Sequence, residues 1–546
     1  MLLLKSNDEI SNNGMSYGLL NSDDPLHTER GMFPLLHTEA SCTVSTDAFS
    51  VHGTESDLTG HVLHTGMKPA ATDFTGGPIH KASIQCPLSL SLTAIGVECF
   101  LSHYVVPQSG PSTGFLDYVV SLLTHGDGHE LLQDAILAVG FARLARATKQ
   151  ADLMSRSTTT YARTIERVNR VLANPVAARC DSTVVTVLVL SLYEFGRASL
   201  DGWKRHINGA ASLLCLRGNS QFSSLIGIQI FKDVFTQLLI ECARIGIPIP
   251  SNLRILRSEA SKVFDKLDPF WVATSAMVEL LDLYHRISPG RYPLITHNST
   301  SQIHCPPESS PSSVSMFANG SHEKPAQPGL SIEDVERHLS NVLEIDSRLE
   351  STFADCPAEW CYAVIPKKPD EVGVGKVLHV YHDVYVVNVW NTMRTCRILA
   401  NHAVCYLVLR GAAIDSSWFL SNCHVKRLQG AHNTLALLRA DLMATVPQLV
   451  CGTNIQIQQQ LGYPALQITA LLPTSPATPL GLPELGSGYC GSAAGAYFAA
   501  WTLLTLGTMH SAPNQTRRWS ITQLRHISQQ AHLAQASEFA RFIEEH

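Results

Sequence analysis

The chain has 546 residues, of which 45% are apolar and only 16% charged, with a formal net charge of −6. That composition supports a large buried core and excludes a wholly disordered, highly charged chain. It supplies no global basic field for holding a nucleic-acid backbone, so any DNA contact has to come from a local patch or a partner. Fourteen cysteines are too sparse for a disulfide scaffold. The N-terminus has only Leu2-Leu3-Leu4 before a polar run, short of the about 7–15 apolar residues of a secretory signal. The sequons at Asn298, Asn319 and Asn514 are accordingly read as chance.

Residues 1–88 read as an acidic, polar, disordered tail with no apolar period. Residues 89–546 read as one helical region, interrupted by a flexible loop at 297–330 and a Pro/Gly-rich loop at 460–490. Helical periodicity predicts helices over Glu130–Ala147, Thr158–Leu172 (stopped by Asn174-Pro175) and Asp181–Phe195 (stopped by Gly196). Asp201–Leu216 follows, with Gly218 placed for a left-handed stop, then Leu225–Ile245 and Trp271–His285. Ser331 is a good N-cap for the next helix, with Glu333 and Asp334 in its first turn. Later helices are expected over Val377–Leu409, Trp418–Thr445, Ser492–Thr508 and Arg517–Ile543. No run of alternating strands appears, so the fold class is all-α. The uncharged stretch Ala493–Gly507 is too short to span a bilayer and reads as a buried helix packed by Ala and Gly.

Catalytic patterns are mostly missing. Gly373-Val374-Gly375-Lys376 lacks both the spacing and the hydroxyl residue of a phosphate loop, and no nucleophile elbow or zinc-protease helix occurs. His125-Gly126-Asp127-Gly128-His129 is the most metal-like cluster, but no fourth ligand accompanies it, so it reads as a capping loop. Cys356 and Cys361 flank Trp360 with C-x4-C spacing but without a second pair, and Cys305 follows His304 in the first loop. Free thiols are the better reading there. Cys490 precedes a predicted helix start, where the dipole lowers a thiol's pKa, yet no histidine can be assigned to it. No catalytic residue, metal or cofactor is therefore expected.

The run Tyr193-Glu194-Phe195 … Trp203-Lys204-Arg205-His206-Ile207-Asn208-Gly209-Ala210 … Leu213-Leu214-Cys215-Leu216-Arg217-Gly218 carries more information. It resembles the fungal-specific transcription factor domain, the C-terminal regulatory domain of fungal zinc binuclear cluster transcription factors. Pro357-Ala358-Glu359-Trp360, the segment Val384-Tyr385 … Trp390-Asn391 … Arg394, the turn Thr445-Val446-Pro447, Tyr497 … Trp501 and Trp519 … Ile527 occur in the family's order. The positions singled out as structural are Glu194, Trp203, His206, Gly209, Arg217, Gly218, Trp360 and Arg394. Trp203, Ile207, Ala210 and Leu214 share a helix face, and Gly209 is expected to admit a neighbouring helix.

The resemblance implies a nuclear transcription regulator, acting on a secondary-metabolite or catabolic gene set. The family's zinc cluster needs six cysteines among basic residues, whereas residues 1–98 hold Cys42 and Cys86 in an acidic setting. The zinc and DNA-contact residues thus have no positions to be carried onto. The expectation is a regulator working through a DNA-binding transcription factor or a paralogue, as a hetero- or homodimer, without a membrane; a missing upstream exon is the other explanation. The competing reading is an α-helical small-molecule binder or enzyme that reuses the fold.

Overall fold

A computed structural model describes residues 91–125, 129–287, 330–354, 356–366, 375, 377–451, 492–509 and 511–545. The tail at 1–88, most of the 297–330 loop, the 460–490 loop, and Cys305 and Cys490 within those loops lie outside the described residues, as does the heart of the His125–His129 cluster.

The described residues are helical almost throughout. In chain order they form α1 (Leu92–Tyr104), α2 (Val119–His125), α3 (His129–Thr148), α4 (Ala151–Leu172), α5 (Asp181–Gly196), α6 (Leu200–Arg217), α7 (Leu225–Ile245), α8 (Ser251–Ala260) and α9 (Pro269–Ile287). After the first loop come α10 (Ile332–Ala354), strands β1 (Ala363–Pro366) and β2 (Val377–Val380), α11 (Val384–Ile414), α12 (Ser416–Phe419) and α13 (Asn422–Cys451). The last three helices are α14 (Ala493–Thr508), α15 (Asn514–Gln530) and α16 (Ala534–Glu545).

Short polar side chains start many of these helices by accepting from the otherwise orphan N–H groups of the first turn. Ser91, Ser199, Ser224, Asp383 and Ser492 each accept from the backbone N–H three residues on, at 2.8–3.2 Å. Ser331 does so reciprocally: its hydroxyl accepts from Asp334 N–H at 3.1 Å, while the Asp334 carboxylate accepts from Ser331 N–H at 3.2 Å. Gly246 ends α7 in the left-handed conformation, φ 77°.

Packing proceeds by neighbouring pairs. α3 lies against α1, α4 and α5; α5 against α6; α11 against α9, α10 and α13; and α14 against α13 and α15. At the α1–α3 crossing the backbones nearly touch, since a Cβ on Gly140 would sit 2.0 Å from the Gly96 carbonyl oxygen. One continuous apolar core runs from Phe100 on α1 to Ile543 on α16, with a small satellite around Leu144 and Leu153. α14 is buried almost from end to end, so its small residues serve helix packing. The helical stretch Cys423–Cys451 of α13 is long enough to cross a bilayer and contains an 18-residue window of mean hydropathy 1.3, yet 56% of that window is buried in the fold.

The structure corrects several expectations. Val377 begins a strand, and the helix starts only at Val384, because Asp383 supplies the cap and the preceding residues pair antiparallel with Ala363–Pro366. The Thr445-Val446-Pro447 turn is absent: α13 runs through Pro447 to Cys451. Burial of Val446, Leu449 and Val450 offsets the hydrogen bond that the proline forfeits. The predicted helix over Arg517–Ile543 is two helices, broken at His532 with φ 58°. Likewise the span from Trp418 divides, with Trp418 on the short α12. Helices α1, α2 and α8 escaped the sequence reading, since their apolar residues do not form a clean stripe or they span too few turns.

Candidate functional site

The residues singled out from the sequence gather in two buried clusters. The first is built where α5 hands over to α6. Ala198, at φ 62°, turns the chain, and Ser199 caps α6 so that its first turn faces the end of α5. Glu194 is 1% exposed and accepts a hydrogen bond from the Tyr161 hydroxyl of α4. The same hydroxyl lies 3.0 Å from His206 Nε2 on α6. Gly202 is required at this point, because a Cβ there would fall 2.4 Å from Glu194 Oε2. The carboxylate therefore sits against the N-terminal turn of α6, where the helix dipole favours negative charge.

Burial, with Arg205 nearby, lowers His206 to about 3, so its imidazole is neutral. Burial and the Glu194 charge push the Tyr161 hydroxyl far above its ordinary value. Tyr, His and Glu in hydrogen-bonding range could suggest proton-transfer chemistry. All three are at most 3% exposed, however, which leaves no surface for a substrate. The arrangement locks three helices together.

Trp203, one turn before His206, extends the cluster across the chain. It is fully buried, and its Nε1–H donates to the Tyr497 hydroxyl of α14 at 3.1 Å. Tyr497 in turn donates to Gln237 of α7. Trp203 and Trp501 have ring centroids 5.1 Å apart. Arg217 ion-pairs with Asp181, tying the end of α6 to the start of α5. Gly218 follows with φ 62° and ψ −149°, a conformation only glycine adopts easily. Gly209 is half-buried on α6.

The second cluster joins Trp360 and Arg394, which lie on different elements of the chain. Arg394 of α11 is 3% exposed, with its guanidinium 5.0, 5.4 and 5.7 Å from the ring centroids of Trp390, Tyr362 and Tyr381. Its Nη1 donates to Asn391 Oδ1 at 3.2 Å, and its Nε lies 3.7 Å from Asp441 of α13. Burial disfavours this charge, but Tyr381, Asp441 and Tyr362 more than offset it and raise the pKa. Trp360 contributes its backbone carbonyl, which accepts from Trp390 Nε1–H at 2.8 Å. The cluster ties Trp360, Tyr362 and Tyr381, which flank the two strands, to α11, while β2 itself packs on α13.

Between the clusters, α7, α9, α11 and α14 enclose a cavity of about 90 Å³ bordered by Gln237, Arg244, Asn388, Thr392, Trp501 and Thr505. A smaller neighbouring space shares Gln237, Asn388 and Thr392 and reaches Asp233. Ligand pockets usually measure about 300–1,000 Å³, so this interior accommodates little more than water. A wider groove of about 570 Å³ lies at the surface, bordered by Asp201, Arg244, Glu538, Arg541 and Glu545 together with Phe539 and Phe542.

Asp233 was missed from the sequence. It is 8% exposed, accepts from the Tyr118 hydroxyl at 2.9 Å and from Leu116 N–H at 3.2 Å, and burial raises its carboxyl to about 7. The available signal was the pair Lys232-Asp233 inside the apolar run Ile230–Phe235, where charges on a core helix demand partners. Among the described residues no group of three His, Cys, Asp or Glu side chains is placed to hold a metal ion.

These features define an all-helical domain whose polar knots stabilise the fold, with no nucleophile, base and substrate cavity brought together among the described residues. Residues 99–272, about a third of the chain, match the family model of the fungal specific transcription factor domain. The match spans α1 to the first turn of α9 and contains Glu194, Trp203, His206, Arg217 and Gly218; Trp360 and Arg394 lie beyond it. No curated protein and no solved structure matches the chain.

Proposed function

We propose that this protein is a nuclear transcription regulator that works through protein partners and is not an enzyme. The domain match at 99–272 is the observation that carries transcription regulation. The partner-dependent part is a reading of residues 1–98, which hold two cysteines in an acidic setting. The partner is a DNA-binding transcription factor or a paralogue, and the regulated genes are a secondary-metabolite or catabolic set. Burial of the Tyr161–Glu194–His206 group and the smallness of the central cavity favour this reading over the small-molecule binder or enzyme.

The test has two arms. The purified chain, assayed by mobility shift against a genomic fragment library at physiological salt, should select no discrete site, and metal analysis should find well under one zinc per chain. Affinity purification from nuclei should recover a DNA-binding regulator. Recovery of one specific site by the protein alone, or an exclusively cytoplasmic protein bound only to metabolic enzymes, would overturn the proposal.

A further inference from the structure

The strap between α10 and β1 carries two thiols that the regulatory reading leaves without a role. Cys356 follows α10, and Cys361 follows a single 3-10 turn over Ala358–Trp360. Their sulfurs are 3.9 Å apart. The turn between them is closed by Trp360 N–H donating to Pro357 C=O at 2.9 Å and Cys361 N–H donating to Ala358 C=O at 3.1 Å. Its far end is pinned as well, by the Trp390–Trp360 hydrogen bond and by Tyr362 stacked on Tyr381 at 4.7 Å. The two sulfurs are therefore neighbours because the backbone holds them there. Reaching the about 2.05 Å of a disulfide takes roughly 2 Å of approach.

The two thiols differ in environment. Cys361 is exposed, whereas Cys356 is half-buried and packs against the core. Burial, then the neighbouring Cys361 thiol, raise Cys356 to about 11. An exposed sulfur that meets the oxidant first and a shielded sulfur that resolves the adduct is the usual division of labour in a dithiol pair. Among the described residues no third ligand stands near the pair.

We propose that Cys356 and Cys361 form a reversible dithiol–disulfide site that reacts with small disulfides of the oxidised-glutathione class. The Cys361 thiolate attacks one sulfur of the disulfide, forming a mixed disulfide and expelling one thiolate. Cys356, losing its proton to solvent, attacks Cys361 Sγ and expels the second thiolate. Two protein thiols are thereby oxidised to one cystine, and one small disulfide is reduced to two thiols. Excess small thiol reverses both steps. Closure staples the strap that delivers the Trp360 carbonyl and the Tyr362 ring to the Arg394 cluster, so oxidation state is linked to the seating of the strap on α11.

The experiment equilibrates the full chain in buffers of varied reduced-to-oxidised glutathione ratio, quenches with acid and an alkylating agent, and maps cysteines by mass spectrometry. The expected result is a peptide carrying 356 and 361 that is two hydrogens lighter and unalkylated at oxidising ratios, while exposed Cys423 and Cys451 form no bridge. Cys356→Ser should stop at a glutathione adduct on Cys361, and Cys361→Ser should leave Cys356 open to alkylation throughout. Hydrogen exchange over 377–394 should slow on bridging in the parent chain and stay unchanged in both variants. Full alkylation of both cysteines at every ratio, or glutathione adducts without a bridge in the parent chain, would overturn the proposal.

Discussion

Trp203→Ala removes the side chain on which α6, α7 and α14 converge. The indole is fully buried, so the change withdraws most of the about 150–250 Å² that a tryptophan hides on folding. At about 25 cal/mol per Å² this is about 4–6 kcal/mol, an upper bound because the unfolded chain also shields some of that surface. The methyl of alanine keeps a fraction, and partial collapse of the neighbouring Trp501 ring recovers some more, leaving an expected loss of about 3–5 kcal/mol. The hydrogen bond to Tyr497 can be separated from this packing. Trp203→Phe keeps an aromatic ring but deletes the donor, and Tyr497→Phe deletes the acceptor together with the link to Gln237. If the bond contributes on its own account, the double variant should differ from the sum of the single ones by about 0.5–1.5 kcal/mol. Urea unfolding of the full chains, followed by far-ultraviolet circular dichroism beside the parent, reads both quantities. A Trp203→Ala cost under about 1 kcal/mol would refute the placement of this residue at the convergence of three helices.

Two further changes test other parts of the architecture. Gly140→Ala drives a methyl into the Gly96 backbone, which cannot rotate away as a side chain would, and should cost about 1–3 kcal/mol by the same unfolding assay; an unchanged midpoint would mean that α1 does not cross α3 there. Asp233 has its carboxyl raised from 3.8 to about 7 by burial. The folded state holds this proton more tightly than the unfolded state, so the stabilisation is complete below about pH 4 and disappears as pH rises through 7. Asp233→Asn keeps an acceptor for Tyr118 without a titrating proton. Its stability relative to the parent should therefore climb by about 2–4 kcal/mol between pH 4 and pH 8, whereas parallel profiles would refute the burial argument.

Where the apolar period was long and the caps were strong, the sequence alone was enough. α3, α5, α6 and α7 appear within a few residues of their expected bounds because their apolar residues recur at helical spacing and, for α6 and α7, Ser199 and Ser224 cap the first turn locally. The order of residues from Glu194 to Gly218 likewise pointed to the domain that the family match contains. Elements that depend on a distant partner were not legible. Val377–Val380 has no reason to be a strand until Ala363–Pro366 lies beside it, and Pro447 has no reason to be helical until its neighbours are buried.

The candidate site divides along the same line. That Glu194, Trp203 and His206 matter as a set was implied by their order in the run that resembles the family, because helical spacing alone marks only the apolar face of Trp203, Ile207, Ala210 and Leu214. That they matter through Tyr161 of α4, Tyr497 of α14 and Gln237 of α7 is a property of the fold, because hydrogen bonds across 33 to 294 residues of chain leave no local trace. The same holds for Arg394. Its sequence context shows an arginine on an aromatic helix, but only tertiary packing supplies Tyr362, Tyr381 and Asp441 and so decides that a charge can be buried there. Local chemistry, acting over one or two turns, set the helices; long-range burial, which acts only once they pack, decided which polar groups pair.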